Sequence, residues 1–128
     1  MKILGIDYGR SKLGLAISED SLAEPYKVIR VRDFNDATEK VVKILQIEEI
    51  EKVVVGVSEG VMAKESKRFA SVVGYKTSIQ VKEFDETLSS QDAQKLSLEA
   101  GISRKKRHSM EDAYAATIIL QNYLDSSR

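Results

Sequence analysis

The chain has 128 residues, a mass of 14.3 kDa and a formal net charge of zero. It has no cysteine and one histidine, His108, which excludes disulfide scaffolds, thiolate nucleophiles, cysteine-bound metal centres and multi-histidine sites. Hydrophobic residues make up 42% and charged residues 31%, so we expect one globular domain over residues 1–128. The lack of cysteine fits a reducing compartment, and we predict a cytoplasmic protein with no membrane partner.

The predicted elements alternate along the chain. Apolar residues recur with a period of two in the first strands and with a helical period later. Gly9 falls in the first turn, where a positive φ would cost a glycine little. The order is βββαβαβαα, which predicts an α/β fold with a mixed five-stranded sheet and helices on both faces. The strands are predicted at 2–6, 13–18, 28–32, 52–57 and 79–84, and the helices at 37–45, 64–73, 90–100 and 110–124.

The zero net charge is a sum of unlike segments. Residues 83–100 hold five acids and one base, whereas residues 101–128 hold five bases and three acids. Because phosphates respond to local patches, a neutral total leaves nucleic acid open as a partner. Four of those bases form one run, which we predict either binds nucleic-acid backbone or is a solvated loop: Arg104, Lys105, Lys106 and Arg107.

Three acidic positions are candidates for chemistry. Asp7 ends an apolar strand directly before a glycine turn, where an aspartate that bonds its own backbone is equally common. Asp85 and Glu86 end the fifth predicted strand, at the edge where open α/β sheets bind ligands, although a solvated loop pair is the simpler interpretation. Asp112 follows Ser109 by three residues, as in a helix capping box, so a structural role explains it as well.

Together these acids suggest a site for a hard cation. With no cysteine and one histidine, the available ligands are oxygens, which Mg²⁺ and Mn²⁺ prefer. Carboxylates about 4 Å apart repel by roughly 4 kcal/mol per pair at an effective dielectric near 20. A bound cation, or a proton taken up by one of the acids, would offset that repulsion.

The motifs resemble those of the YqgF/RuvX family of small bacterial nucleases, which have a ribonuclease H-like fold. The resemblance rests on four segments in order: residues 5–9 with 12–16, residues 53–57, Asp85 with Glu86, and residues 112–116 with 119–124. It covers nearly the whole chain. It implies an acidic site of Asp7, Glu86 and Asp112, with Asp85 in reserve, that uses Mg²⁺ or Mn²⁺. It also implies a role in Holliday junction resolution or in maturation of precursor 16S rRNA.

The chain departs from the family pattern at Ser11 and Lys12, where lysine followed by arginine is usual, at Thr87, where arginine is usual, and in a shorter loop after Gly56. Arg10 and Lys12 are the expected phosphate contacts near the site.

The leading hypothesis is a metal-dependent nuclease for branched DNA or precursor rRNA, acting as a monomer or homodimer. The missing arginines favour the alternative, a non-catalytic RNA-binding factor for rRNA processing. An actin-like ATPase would need a second domain, which this length does not supply.

Overall fold

The computed structural model describes residues 1–57, 61–85 and 104–126, and it describes no side chains at 61 and 104–109. Within these ranges the chain forms five strands and three helices. They are β1 (Ile3–Asp7), β2 (Lys12–Ser18), β3 (Ala23–Arg30), α1 (Phe34–Ile47), β4 (Lys52–Val57), α2 (Val61–Thr77), β5 (Gln80–Asp85) and α3 (Arg104–Ser126). The helix predicted at 90–100 lies outside the described residues.

The strands form one mixed sheet in the order β3-β2-β1-β4-β5. The first three strands pair antiparallel, as expected for neighbours joined by short turns. The strands β1, β4 and β5 pair parallel. The predicted α/β fold is therefore confirmed, and β1 lies at the centre of the sheet.

The two faces of the sheet are covered by different helices. Leu4 and Ile6 of β1 pack on one face in a buried cluster with Val41 of α1 and Phe69 of α2. On the other face Ile3 joins a cluster with residues of α3 that include Leu120. Each strand sends alternate side chains to opposite faces, so these clusters identify which face every strand residue occupies.

The edge strand β3 begins earlier than the prediction of 28–32. It includes Pro25, whose missing N–H would break a ladder in a central strand but is tolerated at an edge. Its pairing with β2 shifts register between Leu15 and Ala16. The apolar pattern missed this half of the strand because its side chains are mostly exposed.

Helix α2 is longer than predicted and contains Gly74, which we expected to follow its end. The helix stops at Thr77, and Ser78 takes a left-handed φ of 60°. A Cβ at Gly74 would lie 3.5 Å from Val81 of β5, an ordinary contact distance. Tertiary packing here outweighs the modest helix penalty of one glycine.

Helix α3 also begins earlier than predicted, at Arg104 rather than near Met110. The expected cap at Ser109 is therefore wrong, because Ser109 and Asp112 both lie inside the helix. Arginine and lysine are good helix formers, and they extend the helix through the basic run. A capping role for Asp112 is removed. None of the described helices has an apolar stretch that could cross a bilayer.

Candidate acidic site at the carboxyl edge of the sheet

The three parallel strands end at one edge of the sheet. Asp7 is the last residue of β1, Val57 of β4 and Asp85 of β5. Lys12, the first residue of β2, lies at the same edge because Gly14 of that strand pairs with Asp7. Arg30, the last residue of β3, lies there because it pairs with Lys12. The sequence prediction that Asp7 and Asp85 stand at carboxyl ends of strands is confirmed.

Asp7 lies on the face that α3 covers. It lies two residues after Gly5 in the strand and therefore on the same face. A Cβ at Gly5 would lie 2.8 Å from the Cβ of Leu120 in α3. Its cross-strand partners on both sides are glycines, Gly14 of β2 and Gly56 of β4. The Asp7 carboxylate therefore has no side chain directly opposite it on either neighbouring strand.

Helix α3 places Asp112 at this corner because its backbone packs directly against Gly14. A Cβ at Gly14 would overlap the backbone carbonyl of Asp112 and would stand 2.8 Å from the nitrogen of Ala113. Only glycine allows the helix backbone to approach the strand so closely. Since Gly14 pairs with Asp7, the two acids share one corner although 105 positions separate them in the sequence.

Lys12 faces the same corner. Its Nζ lies 3.0 Å from Oδ2 of Asp112, and the two side chains are 50% and 30% exposed. A positive charge is thus held against this carboxylate by the protein itself. The sequence suggested Lys12 as a phosphate contact but gave no sign of this ion pair.

Of the two neighbouring acids Asp85 and Glu86, the structure describes only Asp85. Asp85 lies four residues after Val81 in the strand and therefore on the same face. Val81 packs against the cluster under α1 and α2, whereas Phe84 packs against the cluster under α3. Asp85 therefore belongs to the face opposite Asp7. Glu86 lies outside the described residues, and its assignment remains a prediction.

The turn after Asp7 is fixed on the α2 side of the sheet. Tyr8 is 8% exposed, and its ring centroid lies 4.8 Å from that of Phe69. Burial, with the nearby Glu65 carboxylate, raises the pKa of Tyr8, so the phenol stays neutral at physiological pH. Arg10 Nε donates to Glu65 at 3.1 Å, which places this expected phosphate contact beside α2 rather than beside Asp112.

Gly9 lies in the turn, but its φ is outside the left-handed region we predicted. A Cβ there would stand 2.6 Å from the carbonyl oxygen of Lys12. Close approach of the backbone, rather than a positive φ, requires the glycine.

The basic run begins α3, and its side chains lie outside the described residues. A rise of about 1.5 Å per residue puts the start of the helix about 12 Å beyond Asp112 along its axis. Since α3 reaches Gly5 at Leu120 and Gly14 at Asp112, its first turns continue past the carboxyl edge of the sheet. Arg104, Lys105, Lys106 and Arg107 therefore lie on an element that projects from the acidic corner.

The donors at the corner suit a hard divalent cation. No three acidic or histidine side chains cluster within the described parts of the chain, and the third expected ligand, Glu86, falls outside them. Carboxylate oxygens are ligands that Mg²⁺ and Mn²⁺ accept, and the ammonium of Lys12 shows that the Asp112 carboxylate is accessible to a cation. The residues present fit the group that the resemblance implies.

Comparison with known proteins identifies the family of this chain and confirms its fold. The family profile described as "RuvX: Holliday junction resolvase" matches residues 1–126, and the chain belongs to this family. A protein from Oceanobacillus iheyensis is 37% identical, with 98% of each chain covered. One from Protochlamydia amoebophila is 34% identical, covering 98% of this chain and 93% of its own. Both are named "Putative pre-16S rRNA nuclease".

Solved structures confirm the fold. The RuvC protein of Thermus thermophilus, in complex with a Holliday junction substrate, superposes with a TM-score of 0.69 at 16% identity, covering 99% of this chain and 96% of that one. The Fowlpox virus resolvase in complex with Holliday junction DNA gives 0.66 at 17% identity, with 99% of both chains covered. The fold is ribonuclease H-like, as the resemblance implied.

Proposed function

We propose that this protein is a metal-dependent nuclease that hydrolyses phosphodiester bonds in structured nucleic acid, with Asp7, Glu86 and Asp112 as its catalytic carboxylates. The observation that supports it best is the corner shared by Asp7 and Asp112. Two glycines pair with Asp7 across the sheet, and the ion pair between Lys12 and Asp112 supports a role for this corner in binding positive charge. With capping excluded for Asp112, the ion pair with Lys12 is the structural role that competes with this proposal.

The roles of the residues follow from their positions. Mg²⁺ or Mn²⁺ held by the carboxylates would supply a water of lowered pKa and neutralise charge on the phosphate. Asp7, at the end of the central strand, has the most rigid support and fixes the position of the site. Gly14 lets the α3 backbone bring Asp112 close to Asp7, and Gly56 places no side chain opposite Asp7 on β4. Asp85 faces the other side of the sheet, which supports Glu86 as the third acid.

Two substrate classes are supported by different comparisons. The curated relatives carry the name of a precursor 16S rRNA nuclease, and the structural neighbours were solved with Holliday junctions. The relatives match across nearly their whole length at 34% to 37% identity, whereas the structural neighbours share only the fold. We therefore favour precursor rRNA, processed in the cytoplasm, and keep the four-way DNA junction as the second substrate.

The test is cleavage of both substrates by the purified protein. With Mg²⁺ or Mn²⁺ we expect cuts in a precursor 16S rRNA fragment at defined positions, and none with EDTA. A four-way DNA junction in the same buffers provides the comparison. Cleavage that persists in EDTA would contradict the metal-dependent mechanism, and binding without cleavage of either substrate would favour the alternative below.

The alternative is a non-catalytic factor that binds rRNA on the same fold. One observation favours it: Arg10 is paired with Glu65, so an arginine expected near the phosphate is engaged elsewhere. With Lys12 and Thr87 at the positions where the family usually has arginine, few arginines are left near the acids. Retention of Asp7 and Asp112 at one corner opposes it.

A further prediction concerns the basic run. Replacing Arg104, Lys105, Lys106 and Arg107 with alanine should weaken binding to unrelated sequences alike, because backbone contacts carry no sequence information. The slope of log affinity against log salt should shrink by roughly one per lost phosphate contact. Fluorescence anisotropy at several salt concentrations measures this. An unchanged slope would make the run a solvated helical end with no role in binding.

A further inference from the structure

We propose that Lys12 couples cation binding to phosphate binding by exchanging partners: its ammonium pairs with Asp112 when no divalent cation is bound, and it moves to a substrate phosphate when a cation binds to Asp112. This inference rests on the proposed function, and it assigns Lys12 a role beyond a fixed phosphate contact. Lys12 is here a positioning residue whose partner depends on the state of the site.

The ion pair has the properties that an exchange requires. Nζ of Lys12 and Oδ2 of Asp112 are 3.0 Å apart, while Lys12 is half exposed. Its ammonium ends a flexible four-carbon stem, so the charge can move several ångströms without moving the strand. Exposed lysine–carboxylate pairs are weak, which lets a divalent cation displace the lysine.

The positive charge of Arg30 next to Lys12 favours binding of an anion between the two side chains. Lys12 and Arg30 are directly opposite in the β2–β3 ladder, at the end of an edge strand, and Arg30 is exposed. Like charges in that position repel. The described carboxylates form no ion pair with the guanidinium of Arg30, so Asp112 compensates one charge of the two. Once Asp112 is occupied by a metal ion, a phosphate between Lys12 and Arg30 satisfies both.

The consequence is a thermodynamic coupling. If cation binding frees Lys12 for phosphate, then substrate binding must raise cation affinity by the same factor, because linkage between two binding events is reciprocal. Without nucleic acid, the site then binds the metal ion weakly. Removing the positive charge at position 12 breaks the coupling while leaving both acids in place.

The experiment compares Lys12→Gln with the wild type and two controls. Lys12→Arg keeps the charge, and Lys43→Gln makes the same charge change at an exposed position on α1, on the other face of the sheet. Mn²⁺ affinity is measured by calorimetry without nucleic acid. Affinity for a fluorescent four-way DNA junction is measured with Mn²⁺ and with EDTA, on complexes that gels show to be uncleaved. Thermal melts establish that each variant is folded.

We expect Lys12→Gln to bind Mn²⁺ about fivefold more tightly than the wild type, because both the competing ion pair and a nearby positive charge are gone. The gain in junction affinity that Mn²⁺ produces should fall by at least half in this variant and persist in both controls. Equal or weaker Mn²⁺ binding by Lys12→Gln, with wild-type binding intact, would overturn the exchange and leave the proposed nuclease function standing. No Mn²⁺ binding by the wild type, either alone or with the junction present, would instead overturn the proposed function itself.

Discussion

Replacing Asp7 with asparagine should lower the rate of phosphodiester cleavage by about a thousandfold or more, since metal-assisted charge stabilisation supplies several kcal/mol and each 1.36 kcal/mol is tenfold in rate. The substitution keeps the shape of the side chain and removes the charge that holds a cation. Nucleic-acid binding should remain or strengthen, because one source of repulsion with phosphate is gone. Single-turnover cleavage and anisotropy measure the two effects separately.

Asp20→Asn provides the matched control, because Asp20 is an exposed acid in the β2–β3 turn at the opposite end of the sheet. It should cleave at the wild-type rate. Mn²⁺ should raise the melting temperature of the wild type and of Asp20→Asn, since a ligand that binds only the folded state stabilises it. Normal cleavage by Asp7→Asn would place the chemistry elsewhere.

Replacing Gly14 with alanine should damage both the stability and the site. The added Cβ would overlap the backbone carbonyl of Asp112 in α3, and backbone cannot move aside as a side chain can. Overpacking of this kind costs about 1–3 kcal/mol, and we expect the upper part of that range. The helix must shift away from β2, which carries Asp112 from its place near Asp7. Denaturant unfolding and cleavage assays should therefore show losses together.

Gly74→Ala is the matched control for this substitution. A Cβ at Gly74 would meet Val81 at 3.5 Å, and alanine is the better helix former by about 1 kcal/mol. This variant should be as stable as the wild type or more so, with unchanged cleavage. A Gly14→Ala protein of wild-type stability would mean that the contact between β2 and α3 is looser than the geometry indicates.

Much of the architecture follows from the sequence. The apolar run Val53, Val54 and Val55 predicts a strand buried on both faces, and β4 is one. The placement of Asp7 at a strand end followed from apolar residues that precede it and a glycine that follows. At the start of α1, Asp33 caps the helix, and its carboxylate accepts a hydrogen bond from the N–H of Asp36 at 2.8 Å.

Other features depend on contacts between distant segments, which local patterns do not encode. Asp85 could not be assigned to a face until the register of β5 with β4 was known, because one residue changes the face. Ser109 has the chemistry of a cap, yet the helix continues upstream through good helix formers. The roles of Gly14 and Gly56 arise only because both pair with Asp7 across the sheet.

Helix α3 also determines when the site can exist during synthesis. Residues 1–85 supply all five strands, and chains are made from the N-terminus at about 5–20 residues per second. Until α3 emerges, the face with Gly5, Ala16 and Val54 lacks the helix that packs on it, and Asp112 has not yet reached Asp7. The same docking event that buries this face delivers Asp112. Under the proposed function, a nascent chain is catalytically silent until α3 docks on the sheet, so that burial of this face and acquisition of activity are one step.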